Sequence, residues 1–141
     1  MRDFELALKA AADPTRTRIL KILEGGGLCV CQVQAVLGLA PSTVSKHLAI
    51  LRHAGLVEDR RESKWTTYTL SAEGRNAFAN AVLDMLRGPL DRDPAVVSDR
   101  ERLRRIKAIP LLELCVTLPA PPAAPSPAGR LRRTRKGRSR V

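Results

Sequence analysis

Three cysteines and one small, polar helical face are the parts of this 141-residue chain whose residue types and spacing bear chemistry. Cys29 and Cys31 follow Gly25-Gly26-Gly27, a run that ends one helix, and they open the next. A thiol at a helix N-terminus meets the positive end of the helix dipole, which favours the thiolate, and soft thiolates select soft ions. Read as small buried apolar residues, the same two cysteines need no ligand. Side chains at i and i+2 point about 200° apart on a regular helix, so two thiolates on one ion require the first helical turn to open. Cys115, in the run LLELCV, reads equally as a spare apolar residue and as a third thiol.

The polar face lies within residues 41–54. Val44, Leu48 and Leu51 recur at i, i+4 and i+7, while Ser42, Ser45, Lys46, Ala49 and His53 fall on the opposite side. Residues 29–37 form a shorter helix closed by Gly38, and the pair makes a helix-turn-helix whose second member enters the major groove. Ser42, Thr43, Ser45 and Lys46 then meet base edges and phosphates, with Arg52 as a backbone contact. Past Gly55, residues 56–61 and 64–70 are rich in Val, Thr, Trp and Tyr and are linked by Glu62-Ser63, which predicts a hairpin. On it Arg60, Arg61 and Lys64 grip phosphate or a minor groove. His47, Trp65 and Tyr68 read as packing residues. The fold class is mostly α with a small β-hairpin, a winged helix-turn-helix.

Other elements must carry these. Asp3 caps a first helix through Ala12, with Phe4, Leu8 and Ala11 at helical spacing. Asp13-Pro14 starts a second, because Asp is a good N-cap and Pro suits the first helical position; Ile19, Leu20, Ile22 and Leu23 line its buried face. A helix over residues 72–87 carries Phe78, Val82, Leu83, Met85 and Leu86, more apolar surface than one small domain needs. A last helix, capped by Asp93, runs from Pro94 to about Ala108 with Val97, Leu103 and Ile106 apolar. The expected organisation is a winged helix-turn-helix DNA-binding domain over 1–90, a helical extension with Cys115 over 91–118, and a disordered basic Pro/Ala/Arg tail over 119–141.

The net charge is +11, which points to a polyanionic partner, double-stranded DNA before an acidic membrane surface. Seven of the 25 basic residues lie beyond Leu118 with no acid among them, leaving 18 basic against 14 acidic residues in the preceding part. No apolar run approaches the ~20 residues of a membrane span, and no signal-peptide pattern opens the chain, so a cytoplasmic protein without a membrane partner is expected. An odd number of cysteines argues against a disulfide framework. Two His and four aromatic residues supply neither a His-rich metal site nor an aromatic platform for single strands.

The run CVCQVQAVLGLAPSTVSKHLAILRHAGLVEDRRESKWTTYTL resembles the ArsR/SmtB family of metalloregulatory repressors, in particular its arsenic-sensing branch. The likeness covers residues 4–86. STVSKHLAILRHAGLV matches the recognition helix and the entry to the wing, and Leu28-Cys29-Val30-Cys31 matches the branch's Leu-Cys-Val-Cys box. Two positions depart: Gln34 stands where that box often has a third cysteine, and Glu62-Ser63-Lys64 where the wing turn often has Gly. The resemblance implies a homodimer built on the first helix and the helix over 72–87, holding operator DNA when empty and leaving it when arsenite or antimonite binds three thiolates. No resident cofactor is implied. Metal ligands would be Cys29, Cys31 and a third sulfur, supplied by Cys115 of either protomer or by a small cellular thiol, unless the inducer is a methylarsenite that needs two. Residues 72–87 hold no His, which removes the zinc-sensing site of the family's other branch. Competing readings are a sensor of cadmium, lead, copper(I) or thiol oxidation, and a small thiol enzyme. No CxxC and no nearby His base support the enzyme.

Overall fold

The computed structural model describes residues 1–72 and 76–117. The elements in order are α1 (Arg2–Ala11), α2 (Pro14–Leu23), β1 (Leu28–Cys29), α3 (Val30–Leu37), α4 (Pro41–His53), β2 (Val57–Glu62), β3 (Trp65–Leu70), α5 (Ala77–Leu86), α6 (Pro94–Lys107) and α7 (Leu111–Thr117). The mostly helical winged helix-turn-helix is what the spacing predicts. The basic tail lies outside the described residues.

Asp13 starts α2 as expected: its carboxylate accepts the Arg16 backbone N–H at 3.0 Å, with Pro14 in the first turn. Side chains of α2 in turn close the end of α1, Arg16 Nε donating to the Ala10 carbonyl at 2.7 Å and Thr17 Oγ1 to that of Ala11 at 2.6 Å. These bonds satisfy carbonyls that the end of α1 leaves without helical partners. Asp3 does not cap α1. It lies within the first turn, after Met1, where its charge still suits the dipole.

Ile19, Leu20, Ile22 and Leu23 are all buried, and so are Val33, Val36, Val44, Leu48, Leu51 and Leu56, in one continuous core. The stripe of α4 therefore packs inward as its spacing requires. Ser42, Ser45, Lys46, Ala49 and His53 remain exposed. On α1 the expected stripe is displaced: Ala7, Ala10 and Ala11 are buried, whereas Phe4 and Leu8 stay exposed. Phe4 meets the exposed Phe78 of α5 edge to face, centroids 5.7 Å apart.

The sheet is antiparallel in the order β1-β3-β2. Glu62 pairs with Trp65, so the turn is Ser63-Lys64, one residue later than the expected link. Ser63 takes φ +54°, the left-handed conformation that Gly would supply at less cost. β1 was not foreseen. Its two residues replace the expected first helical turn at Cys29, pairing Leu28 with Tyr68 and Cys29 with Thr67. Gly27 makes that pairing fit, because a Cβ there would lie 2.6 Å from the Thr67 methyl.

The helix after the wing begins at Ala77, where the Asn76 side chain accepts the N–H groups of Phe78 and Ala79. Ser71 Oγ donates to the Gly55 carbonyl and ties the end of β3 to the turn after α4. Asp93 caps α6 as expected, but Val96 rather than Val97 is buried. α6 docks on α2 and α3, with Leu103 in the common core.

Candidate functional site

Cys29 ends β1 and precedes α3 with an extended backbone, φ −84° and ψ 164°, and its N–H donates to Gln32 Oε1 at 3.0 Å. Cys31 lies one turn-start further on, in α3. Because Cys29 is extended rather than helical, the roughly 200° separation of a regular helix does not apply to the pair. The expectation that the first turn must open is therefore corrected: α3 is intact, and the two sulfurs already share one side. α7 lies against α3 and brings Cys115 to them. All three sulfurs fall within 4.8 Å of one another, with Cys29 buried and the other two partly so. Cys31 and Cys115 are joined as a disulfide, their Cα atoms 5.7 Å apart, while Cys29 remains a free thiol. The pairing expected to be absent on cysteine arithmetic is thus present, because 84 residues of chain fold α7 back onto α3.

Two elements lead from this cluster to the exposed polar face. α3 packs directly on α4, the helix carrying Ser42, Thr43, Ser45 and Lys46. β1 joins Cys29 to β3 through Thr67, which pairs on its other side with Arg60 of β2. Arg60, Arg61 and Lys64 are exposed on the hairpin, and Arg60 lies 3.9 Å from Glu62. Arg52 is engaged: its Nη1 donates to Asp59 Oδ2 at 3.0 Å, fastening the end of α4 to β2. His47 is half-buried, with its Nδ1 3.5 Å from Arg16 Nη1. Tyr68, half-buried in β3, has its phenol pushed above its ordinary value chiefly by burial, and then by the Asp59 charge.

Sequence reasoning missed the charges that dock α6. Arg18 grips the buried Asp99 in a fork, Nε to Oδ2 at 2.7 Å and Nη2 to Oδ1 at 2.8 Å, and that bond raises the guanidinium above its usual range. Lys21, 1% exposed, donates to Glu24 at 2.7 Å, Asp91 at 2.9 Å and the Leu86 carbonyl at 3.1 Å. Arg100 binds the same Glu24 and Asp91 at 2.9 and 2.8 Å. The two cations face two carboxylates, as buried charge requires. Arg102 Nη1 donates to the Val36 carbonyl in the last turn of α3 at 2.8 Å. The only local signal was a carboxylate at the apolar spacing of α6, Val96-Asp99-Leu103.

Residues 13–59 match the family model described as bacterial regulatory protein, arsR family. The HTH-type transcriptional regulator CmtR of Mycobacterium bovis is 40% identical over 102 residues, 71% of this chain and 86% of that protein. The chain belongs to the arsR family. That family is one of bacterial regulatory proteins, and the matched segment takes in α2, α3 and α4. The arsenic resistance transcriptional regulator ArsR1 of Pseudomonas putida is 44% identical over 69 residues, 48% of this chain, and the match spans about half of that relative, 54%. Among solved structures, reduced HlyU from Vibrio cholerae N16961 superposes with a TM-score of 0.52 at 34% identity, covering 64% of this chain and 87% of HlyU. Among the described residues of the arsR-family chain, no helix is long and apolar enough to cross a membrane.

Proposed function

We propose that this regulator is a homodimeric repressor that holds a two-fold operator when its thiols are empty and releases it when a trivalent arsenical occupies Cys29, Cys31 and Cys115. The observation that carries this reading is the convergence of three sulfurs within 4.8 Å, with no imidazole or carboxylate among them. An all-thiol set of three suits a soft, thiophilic ion of low coordination number. In arsenite each As–O bond is exchanged for As–S, so three thiols and As(OH)3 yield the tris-thiolate and three waters. Cys31 and Cys115 must both be reduced for this. Similarity to an arsenic resistance regulator supports the choice of ion.

Ser42, Thr43, Ser45 and Lys46 of α4 read the operator in this scheme, and Arg60, Arg61 and Lys64 hold its backbone; Arg52 supports the wing through Asp59. The exposed Phe4, Leu8, Phe78 and Met85 on α1 and α5 are the face a second copy covers. Release follows if the three thiolates bind the inducer more tightly in the DNA-free conformation, and the coupling free energy equals that difference. The thiol cluster touches both α3 and β1, so strain there reaches the recognition helix and the wing together. The Cys31–Cys115 bond favours a second reading in the same residues, release on thiol oxidation.

Ser replacements separate these. Cys29→Ser and Cys31→Ser are expected to bind operator normally and to lose release by arsenite. Cys115→Ser is expected to weaken the response to arsenite far more than that to methylarsenite, which takes two sulfurs. Release of Cys29→Ser by arsenite at the wild-type concentration would falsify the arsenic reading, and release by diamide alone would install the oxidative one.

A further inference from the structure

We infer that Arg18 and Asp99 are positioning residues for the third thiol: their forked ion pair seats α6 on α2 so that α7 presents Cys115 to Cys29 and Cys31 of the same chain. The inference rests on the thiolate site proposed above and names what sets its third ligand. α7 has seven residues, too few to hold a helix without support; it packs on α3 with Leu114 buried, and α6, separated from it only by residues 108–110, sets where the chain enters it. Val96 and Leu103 are the buried hydrophobic residues of α6 and Ile106 packs against the core partly buried, while the third buried position is Asp99. Apolar contact thus holds α6 to α2 and α3, and polar contacts add direction to it.

The Arg18–Asp99 fork has the geometry for that task. Two parallel N–H···O bonds fix rotation as well as distance, and a carboxylate buried to 3% exposure cannot leave its partner cheaply. The remaining contacts act along the same line: Arg100 joins α6 to Glu24 of the α2 end, and Arg102 holds the last turn of α3. α3 is thereby gripped at both ends by the extension, by Arg102 at Val36 and by Cys115 at Cys31. Loosening the fork frees α7 before it disturbs the core around Leu48 and Leu51.

The test uses the full chain with Cys29→Ser, so that a single pair of thiols remains, equilibrated against mixtures of glutathione and its disulfide. Formation of Cys31–Cys115 reduces one glutathione disulfide to two glutathiones, and the midpoint gives the effective concentration of Cys115 at Cys31. Asp99→Asn is expected to lower it by about tenfold or more. Arg18→Lys, which keeps the charge and loses the fork, should fall between. Arg105→Gln, which removes an exposed pair with Glu101 on the same helix, should change nothing. In the chain with all three cysteines, X-ray absorption should count three sulfurs on arsenic in wild type and two in Asp99→Asn. Circular dichroism and operator binding should stay at wild-type values. An unchanged effective concentration in both variants overturns the inference, and so does global unfolding of both, since the pair would then act on the core rather than on one thiol. The cross-link involves no arsenic: wild type that cross-links readily yet ignores arsenite removes the ion from the scheme and leaves the positioning pair standing.

Discussion

Asp13 stands between two helices and answers to pH through one bond. The Arg16 backbone N–H, more than any neighbouring charge, holds its carboxyl below the ordinary 3.8. The folded state therefore prefers the carboxylate, so the stability it confers is complete above that value and is lost as pH falls through the lower folded one. Asp13→Ala is expected to cost about 1 kcal/mol at neutral pH, with the gap from wild type closing below 3.8 in urea titrations. A gap that persisted in full at about pH 2 would assign the effect to packing instead. This cap was legible in Asp-Pro, because both residues act locally. The thiol geometry was not: β1 has two residues, too few for a period of two to show, and its conformation is imposed by Thr67 and Tyr68 of a strand some forty residues on. Cys29 and Cys31 were nameable from the resemblance and Cys115 only as one of several sources of a third sulfur, and the approach of all three depended on a strand and a docked helix that no local pattern encodes.

α4 is the element whose sequence carried most of its structure, since one stripe decides what is buried and leaves the other side exposed, the face proposed for DNA. Its exposed Ser45 and Lys46 make no side-chain contact among the hydrogen bonds and ion pairs described. Replacing either with Ala should spare the fold and weaken operator binding in different ways. Loss of Ser45 at a base edge is expected to cost about 1 kcal/mol and relax discrimination at one position, whereas loss of Lys46 at a phosphate should act on all sequences and reduce the salt slope by about 1. Fluorescence anisotropy with operator and scrambled duplexes across a salt series reads both, and identical losses on the two duplexes for Ser45→Ala would remove it from the reading face. α6 shows the opposite case. Its cap was plain in Asp93-Pro94, but its docking turns on Arg18 and Asp99, 81 residues apart, and a buried carboxylate in a basic, solvent-rich helix looks like one more exposed charge until its partner is placed.

At the scale of the molecule, charge is divided between a mildly basic fold and seven basic residues beyond Leu118. Recognition and attraction are thereby separable. Base readout needs side chains fixed by the core, which α4 supplies in the proposed scheme; attraction to phosphate needs only cations near the duplex, each releasing counterions in proportion to the phosphates it neutralises. Truncation after Leu118 is thus expected to lower affinity for nonspecific DNA and to flatten its dependence on salt, by a slope of at most about 6 if all seven cations meet phosphate. The ratio of operator to scrambled affinity should stay near its wild-type value at each salt concentration, because both affinities lose the same electrostatic contribution. Release by arsenite should also persist, since Cys29, Cys31 and Cys115 all precede the cut. A truncated chain that bound operator and scrambled DNA alike would place part of the base readout beyond Leu118, and α4 would then no longer account for specificity alone.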